Sequence, residues 1–285
     1  MHTRPAADGA SPWLLLCCLA IILVAGPSVA ASAPAPPAAL VFAGSGTNLA
    51  ITRLLAQAFV RTYPGVAIEV PASIGSTGGI QAAADGSVAM GLVSRSLKEQ
   101  EKALGLTFRP YARSAIVFGA HPSVSDDGLS FGELLDIYRG ARTRWRDGQE
   151  IVVLTRQPTD SGIEVLELKI PGFWEVYAES QKVKRWITLY TDQEMNQALV
   201  KTPHAMGLLD LGIIQSERLA VKPLRINGVA PTAQSVLNGT YPLVKTLAFV
   251  YREATLAPAA KAFLDFARSS AAQQLLRAQN YQPVE

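Results

Sequence analysis

The sequence predicts an α/β protein made of two successive sets of strands and helices, each set a mostly parallel sheet flanked by helices. Three observations carry this. Short apolar runs stopped by glycine alternate with stretches whose apolar residues recur at helical spacing, the pattern of parallel strands joined by crossover helices. The alternation halts at His121-Pro122 and starts afresh at Ser130. The 285 residues, 49% hydrophobic and only 17% charged, suffice for two ordinary domains with real cores and lack the charge excess that keeps chains disordered.

Ahead of the first strand, Arg4 precedes an apolar run over residues 13–25, which Gly26-Pro27 breaks before the small residues of 28–33. That order is a secretory signal peptide, and the run is shorter than the ~20 residues a spanning helix needs. Residues 1–30 are therefore expected to be removed, with cleavage at Ala30 or within three residues of it. The Pro- and Ala-rich residues 31–39 then form a disordered lead-in. Cys17 and Cys18 both fall in the signal, so the exported chain is expected to have no thiol, which excludes disulfides and cysteine catalysis. Lipid attachment is disfavoured because Leu14, Leu15 and Leu16, rather than small residues, precede Cys17.

The first strand is predicted over residues 39–43, stopped by Gly44, and Ile51, Leu54, Leu55, Ala58 and Phe59 then mark a helix that Tyr63-Pro64-Gly65 ends. A strand over 66–70, a turn over 75–79, a helix over 80–85 and a strand over 90–93 follow. Residues 114–120 (SAIVFGA) read as a buried strand. In the second set, Ser130 and Glu133 have capping-box spacing and open a helix through Tyr138. A strand over 151–155 leads to Asp160, which caps a helix carrying Ile163, Leu166 and Ile170. Strand 205–209, helix 232–237 and strand 246–251 come next, and the amphipathic stretch 258–278 supplies one or two closing helices.

The residues able to carry chemistry lie in polar glycine turns between strand and helix. Gly44-Ser45-Gly46-Thr47-Asn48 offers backbone N–H groups at a helix N-terminus together with two hydroxyls; the same turn also reads as a simple N-cap. Ser73-Ile74-Gly75-Ser76-Thr77-Gly78-Gly79 repeats the arrangement, and two such turns at adjacent carboxyl ends of strands face one crevice. In Arg156-Gln157-Pro158-Thr159-Asp160-Ser161-Gly162, Arg156 can give two parallel hydrogen bonds to an oxyanion, and Ser161 and the N–H of Gly162 add donors; a capped helix beside a solvated arginine is the alternative. His121 and His204 stand far apart without ligand spacing, and no GxSxG, Walker A or GxGxxG motif occurs. Neither a metal, a cofactor nor catalytic machinery is expected. Trp145, Trp174 and Trp186 are dispersed and read as packing or surface residues. A net charge of +3 from 26 basic and 23 acidic residues, scattered evenly, gives no nucleic-acid footprint.

Four stretches in order, GSGTN at Gly44, SIGSTGGI at Ser73, GLVSRSL at Gly91 and RQPTDSG at Arg156, resemble the periplasmic phosphate-binding proteins of ABC uptake systems, which are two-lobed substrate-binding proteins. The likeness runs from about Leu40 to the C-terminus and includes Gly207-Leu208 and residues 238–243. It implies a two-lobed periplasmic binding protein fold with a two-strand hinge: residues 40–117 with 246–285 form one lobe, and 118–245 the other. It implies a periplasmic monomer that captures a small inorganic oxyanion, phosphate first, for a membrane ABC permease. Sulfate, molybdate or tungstate binding and a sensor role are the alternatives, and a secreted phosphatase the reading from another class.

Carried over by residue, the resemblance places Ser45, Gly46, Thr47 and Asn48, Ser76 and Thr77, and Ser161 and Gly162 around the anion. Arg156 takes the guanidinium role, although Gln157 holds the aligned position, and Ile163 replaces a family threonine. Ser94 and Arg95 are also expected at the ligand: Ser94 stands where the family has a carboxylate that accepts the proton of hydrogen phosphate and repels sulfate, a hydroxyl there can accept that bond but repels nothing, and Arg95 beside it adds positive charge or faces solvent. Asp160 is expected to cap its helix rather than supply that acceptor.

Overall fold

A computed structural model describes residues 39–284; the expected signal peptide, both cysteines and all but the last residue of the lead-in lie outside them. The first set contains β1 (Leu40–Gly44), α1 (Gly46–Thr62), β2 (Ile68–Glu69), α2 (Gly75–Asp85), β3 (Met90–Val93), α3 (Glu99–Lys102) and the long β4 (Thr107–Ala120). The second contains β5 (Gly128–Leu129), α4 (Phe131–Arg139), β6 (Val152–Arg156), α5 (Ser161–Lys169), α6 (Phe173–Lys182), β7 (Ile187–Leu189), α7 (Asp192–Lys201), β8 (Ala205–Asp210), α8 (Leu211–Ser216), β9 (Lys222–Pro223), β10 (Arg225–Ile226) and α9 (Ala233–Leu237). Strand β11 (Val244–Tyr251), α10 (Pro258–Ala267), α11 (Ser270–Ala278) and β12 (Gln282–Pro283) close the chain.

The main sheet runs β2-β1-β3-β11-β4-β8-β6-β7. Its two ends are parallel, β1 with β2 and β3, and β6 with β7 and β8, while β4 and β11 run antiparallel through the middle. Two large apolar cores form on this frame, with a small third cluster of Ile80, Ala83, Val93 and Val250 beside α2. Phe42, Leu55, Phe59, Phe249 and Phe263 belong to the first, and Phe118, Ile163, Phe173, Tyr177 and Leu199 to the second. Strand β4 changes core between Ala112 and Ala115, and β11 between Val244 and Leu247. The protein thus has the two-domain α/β fold expected.

Several elements differ from expectation. Helix α2 starts at Gly75, so the turn foreseen over 75–79 is the helix's own first turn. Glycine there disfavours helix by propensity but is needed for packing: a Cβ on Gly79 would meet the Ala43 carbonyl oxygen and Gly44 Cα at 2.8 Å, so α2 lies almost on the backbone of the sheet. Gly79→Val is expected to lower stability by about 1–3 kcal/mol through that overlap, measurable by urea unfolding. The first half of β4, together with α6, β7, α7 and α8, has no counterpart in the sequence reading. A signal existed for α7: Thr191 and Glu194 form a capping box in which the threonine hydroxyl accepts from the Glu194 N–H.

Candidate anion-binding cleft

Four helix N-termini meet at a cleft of about 330 Å³ between the two cores: those of α1 and α2 from one side, and those of α5 and α7 from the other. Parallel strands put the helix that follows each of them at the same sheet edge, so the convergence is a consequence of topology. Asp160 and Thr191 cap α5 and α7 at the cleft through side-chain acceptors, as Ser130 and Thr232 cap α4 and α9 away from it. At the cleft α1 and α2 have no side-chain acceptor at the cap position itself and no acidic residue in the first turn, although Ser73 Oγ accepts from the first N–H of α2 at 3.3 Å. Their first N–H groups have no intrahelical acceptor, and the dipole ends favour an anion in front of them. The Ser45 hydroxyl, in the cap position of α1, is instead hydrogen-bonded with that of Ser94 at 2.8 Å.

Ser94 is fully covered and sits at the centre of a hydroxyl cluster rather than on the cleft wall. Its Oγ lies 2.8 Å from Ser45 Oγ, 2.8 Å from Ser161 Oγ and 3.4 Å from Ser76 Oγ, and its N–H donates to Ser76 Oγ at 3.2 Å. One hydroxyl therefore ties together all three glycine turns, including one from the opposite core. Ser45, Ser76 and Ser161 line the cleft around it. Arg95 does not reach the cleft; its guanidinium makes a bidentate pair with Glu101 at 2.7 Å and donates to Thr77 Oγ1. That pair holds the Glu101 carboxyl below its usual range against the penalty of burial.

Three further candidates are committed elsewhere. Thr47 donates to Asp210 Oδ2 at 3.0 Å and accepts from Lys245 Nζ at 2.9 Å, beneath the cleft. Asn48 is buried, with its Oδ1 accepting from Tyr111 and its N–H bonded to the Ser45 carbonyl. The N–H of Gly162 donates to Asp160 Oδ1 at 2.8 Å, so it is not the free donor the sequence reading made it. These residues build the turns: the Thr47 hydroxyl, Asn48 Oδ1 and the Gly162 amide are already engaged, while the buried Asn48 Nδ2 has no partner among the described residues.

Arg156 is 4% exposed and lines the cleft, as does Gln157. Its Nε and Nη2 donate to Asp160 Oδ2 at 3.0 and 2.7 Å, while Nη1 is buried and has no partner among the described residues. Asp160 caps α5 with one oxygen and holds Arg156 with the other. Burial pushes its carboxyl up, but Arg156, Lys245 and the Gly162 amide bring it below the usual carboxylate range. Asp192, at the first position of α7, completes the wall beside Thr191 and Tyr190 and was missed in the sequence. Its Oδ2 would lie 2.0 Å from a Cβ on Gly46, so only glycine fits opposite it, and it stands 3.6 Å from Arg156 Nη2. No tryptophan lines the cleft.

Comparison with known proteins agrees with this architecture. The model of the PBP superfamily domain matches residues 31–271. The phosphate-binding protein PstS of Bacillus subtilis is 25% identical over 252 residues, covering 86% of this chain and 80% of its own. That of Borreliella burgdorferi is 21% identical over 213 residues, 73% of this chain and 76% of its own. Among solved structures, a putative phosphate ABC transporter substrate-binding protein from Clostridium perfringens, with bound phosphate, superimposes with a TM-score of 0.78 over 87% of this chain and 100% of its own, at 24% identity.

Proposed function

This chain belongs to the PBP superfamily, and from that premise we propose that it captures phosphate in the cleft as the substrate-binding component of an ABC uptake system. One observation carries the reading: Arg156, whose buried Nη1 has no partner among the described residues, lines a cleft whose facing wall is two helix N-termini without a side-chain acceptor at the cap position. A buried cationic donor left unmatched costs free energy, and a small anion in the cleft would satisfy it together with the N–H groups and hydroxyls around it. The names of the curated relatives supply the choice of phosphate and of uptake.

The same reading takes the chain to be exported by its signal peptide, to act as a monomer on a membrane permease, and to leave its ligand unchanged. Among the described residues no nucleophile paired with a base stands in the cleft; Ser45 and Ser161 bond to Ser94 behind its wall. Among the described residues no helix is long and apolar enough to cross a membrane. We place the bending of the two lobes where β4 and β11 change core, at residues 113–114 and 245–246. Phe118–Ala120, beyond that change on β4, is held by pairing with β8 and β9.

Titration calorimetry on exhaustively dialysed protein with phosphate tests the reading, and absence of any heat of binding would overturn it. Ser76→Ala and Ser161→Ala are each expected to weaken binding roughly 10-fold, because a hydrogen bond to a charged partner contributes ~1.5–3 kcal/mol. Lobe closure is checked by small-angle scattering, which should show a smaller radius of gyration with phosphate present.

A further inference from the structure

Hydrogen phosphate and sulfate are alike in shape and charge and differ by one proton. A site that separates them needs an acceptor unable to donate, and an ionised carboxylate is the side chain that meets this requirement. Ser94 does not, since a hydroxyl offers its own proton to sulfate, and it lies behind the cleft wall. Asp160 has both oxygens engaged, by the Gly162 N–H and by Arg156. Asp210 is buried below the cleft and holds Lys245 at 2.8 Å and Thr47 at 3.0 Å through Oδ2. Glu164 pairs with Lys98 at 2.7 Å and is not in the lining.

Asp192 is different. It lines the cleft, its side chain is 17% exposed, and no donor among the described residues hydrogen-bonds to it. The nearest cationic atom, Arg156 Nη2, is 3.6 Å away and already bonded to Asp160. Its position is fixed from below by the Thr191–Glu194 capping box, and it confronts Gly46 at the uncapped N-terminus of α1. A lone carboxylate is thus held against the groups that would bind the anion. We infer that Asp192 is the selectivity carboxylate of this cleft, accepting the proton of a monohydrogen oxyanion and repelling an oxyanion that has none.

This rests on the oxyanion reading above and assigns to α7, in the second lobe, the role that Ser94 leaves empty in the first. The groups facing Asp192 are Arg156 of β6, Asp160 at the start of α5, Asp210 of β8 and Lys245 of β11. Burial lifts the Asp192 carboxyl to about 6; Arg156 and Lys245 pull it down, while Asp160 and Asp210 push it further up. Asp192 is ionised above that pH, as the role requires. Below it the protonated carboxyl becomes a donor, and sulfate should be admitted.

The test measures inorganic phosphate and sulfate binding calorimetrically for the native protein and Asp192→Asn between pH 5 and 8. Native protein at pH 7.5 should prefer phosphate by a factor on the order of 10² or more. Its sulfate affinity should fall about tenfold per pH unit above about 6 and level off below, as one-proton linkage requires. Sulfate stays a dianion throughout, so the slope reports the protein. In Asp192→Asn, sulfate should bind at least ~10-fold more tightly at pH 7.5, phosphate ~10-fold more weakly, and the slope should vanish although Asp210 is still present. An unchanged phosphate-to-sulfate ratio in a variant with native thermal stability overturns the inference. So does a flat sulfate profile in the native protein, which decides the matter even if the variant fails to fold. If native protein binds phosphate in either case, only the role of Asp192 is lost; if it binds neither anion, the oxyanion reading goes with it.

Discussion

Arg156→Ala should weaken phosphate binding by at least about 10² to 10³-fold, the largest effect expected of any single change in the cleft. The variant loses the unpartnered Nη1 and its charge, and each hydrogen bond to a charged partner contributes ~1.5–3 kcal/mol, about tenfold per 1.4 kcal/mol. It also exposes the anion to an unneutralised Asp160, now held only by the Gly162 N–H. Arg156→Lys keeps the charge but cannot both hold Asp160 through two nitrogens and present a third, so it should recover only part of the loss. Stability should fall as well, by about 3 kcal/mol at pH 7, the low end for breaking a buried pair because one cap bond survives. Arg156 depresses the folded-state pKa of Asp160, so the pair's contribution is present above the ordinary carboxylate pKa and disappears as pH falls. The gap between native protein and variant in urea unfolding should therefore narrow toward acid pH. A variant that binds phosphate within fivefold of native protein would refute this role for Arg156.

Lys245→Met carries the second large effect, on stability more than on affinity. Lys245 Nζ is buried on β11, bonded to Asp210 Oδ2 of β8 at 2.8 Å and to Thr47 Oγ1 of α1 at 2.9 Å, and so ties both cores to the first turn of α1. Burial lowers its pKa, but Asp210, Asp160 and Asp192 together raise it above the usual lysine value. Removing one partner of a buried pair strands the other, and about 3–5 kcal/mol of unfolding free energy should be lost. Asp210, whose carboxyl burial already raises, would rise further without its cation. A raised acid pKa in the folded state gives stability that is lost as pH increases, so the variant should become more stable on acidification toward pH 5. Adding Asp210→Leu should return most of the loss, since a well-packed apolar pair can replace a buried ion pair. Failure of the double variant to recover would show that the lysine acts through packing instead.

How much of this was legible depended on the range of the interaction. Asp160 as cap of α5, the Ser130–Glu133 box and the strand-to-helix turns at Ser45 and Ser161 were readable because their partners lie within four residues. Propensity misplaced the start of α2, where Gly75, Gly78 and Gly79 spell a turn locally, because contact between Gly79 and the backbone of β1 outweighs the cost of glycine in a helix. Between residues 171 and 204 the apolar spacing is weak, and the local signal for α7, and with it for Asp192, is the Thr191–Glu194 capping box alone.

The sequence by itself determined the alternating α/β order, the glycine turns and the residue types of an anion cradle, because these are encoded in spacing along a few neighbouring residues. Only the tertiary structure decided which of those residues face the cleft. Arg95 turns away because Glu101 is there to take it, and Thr47 and Asn48 are drawn inward by Asp210 and Tyr111. Ser94 is covered because three hydroxyls from separate turns close over it, and Asp192 faces Gly46 although 146 positions separate them in the chain. A side chain's direction is set by competition among partners that folding brings together from distant segments, and nothing in the local sequence records which partner wins.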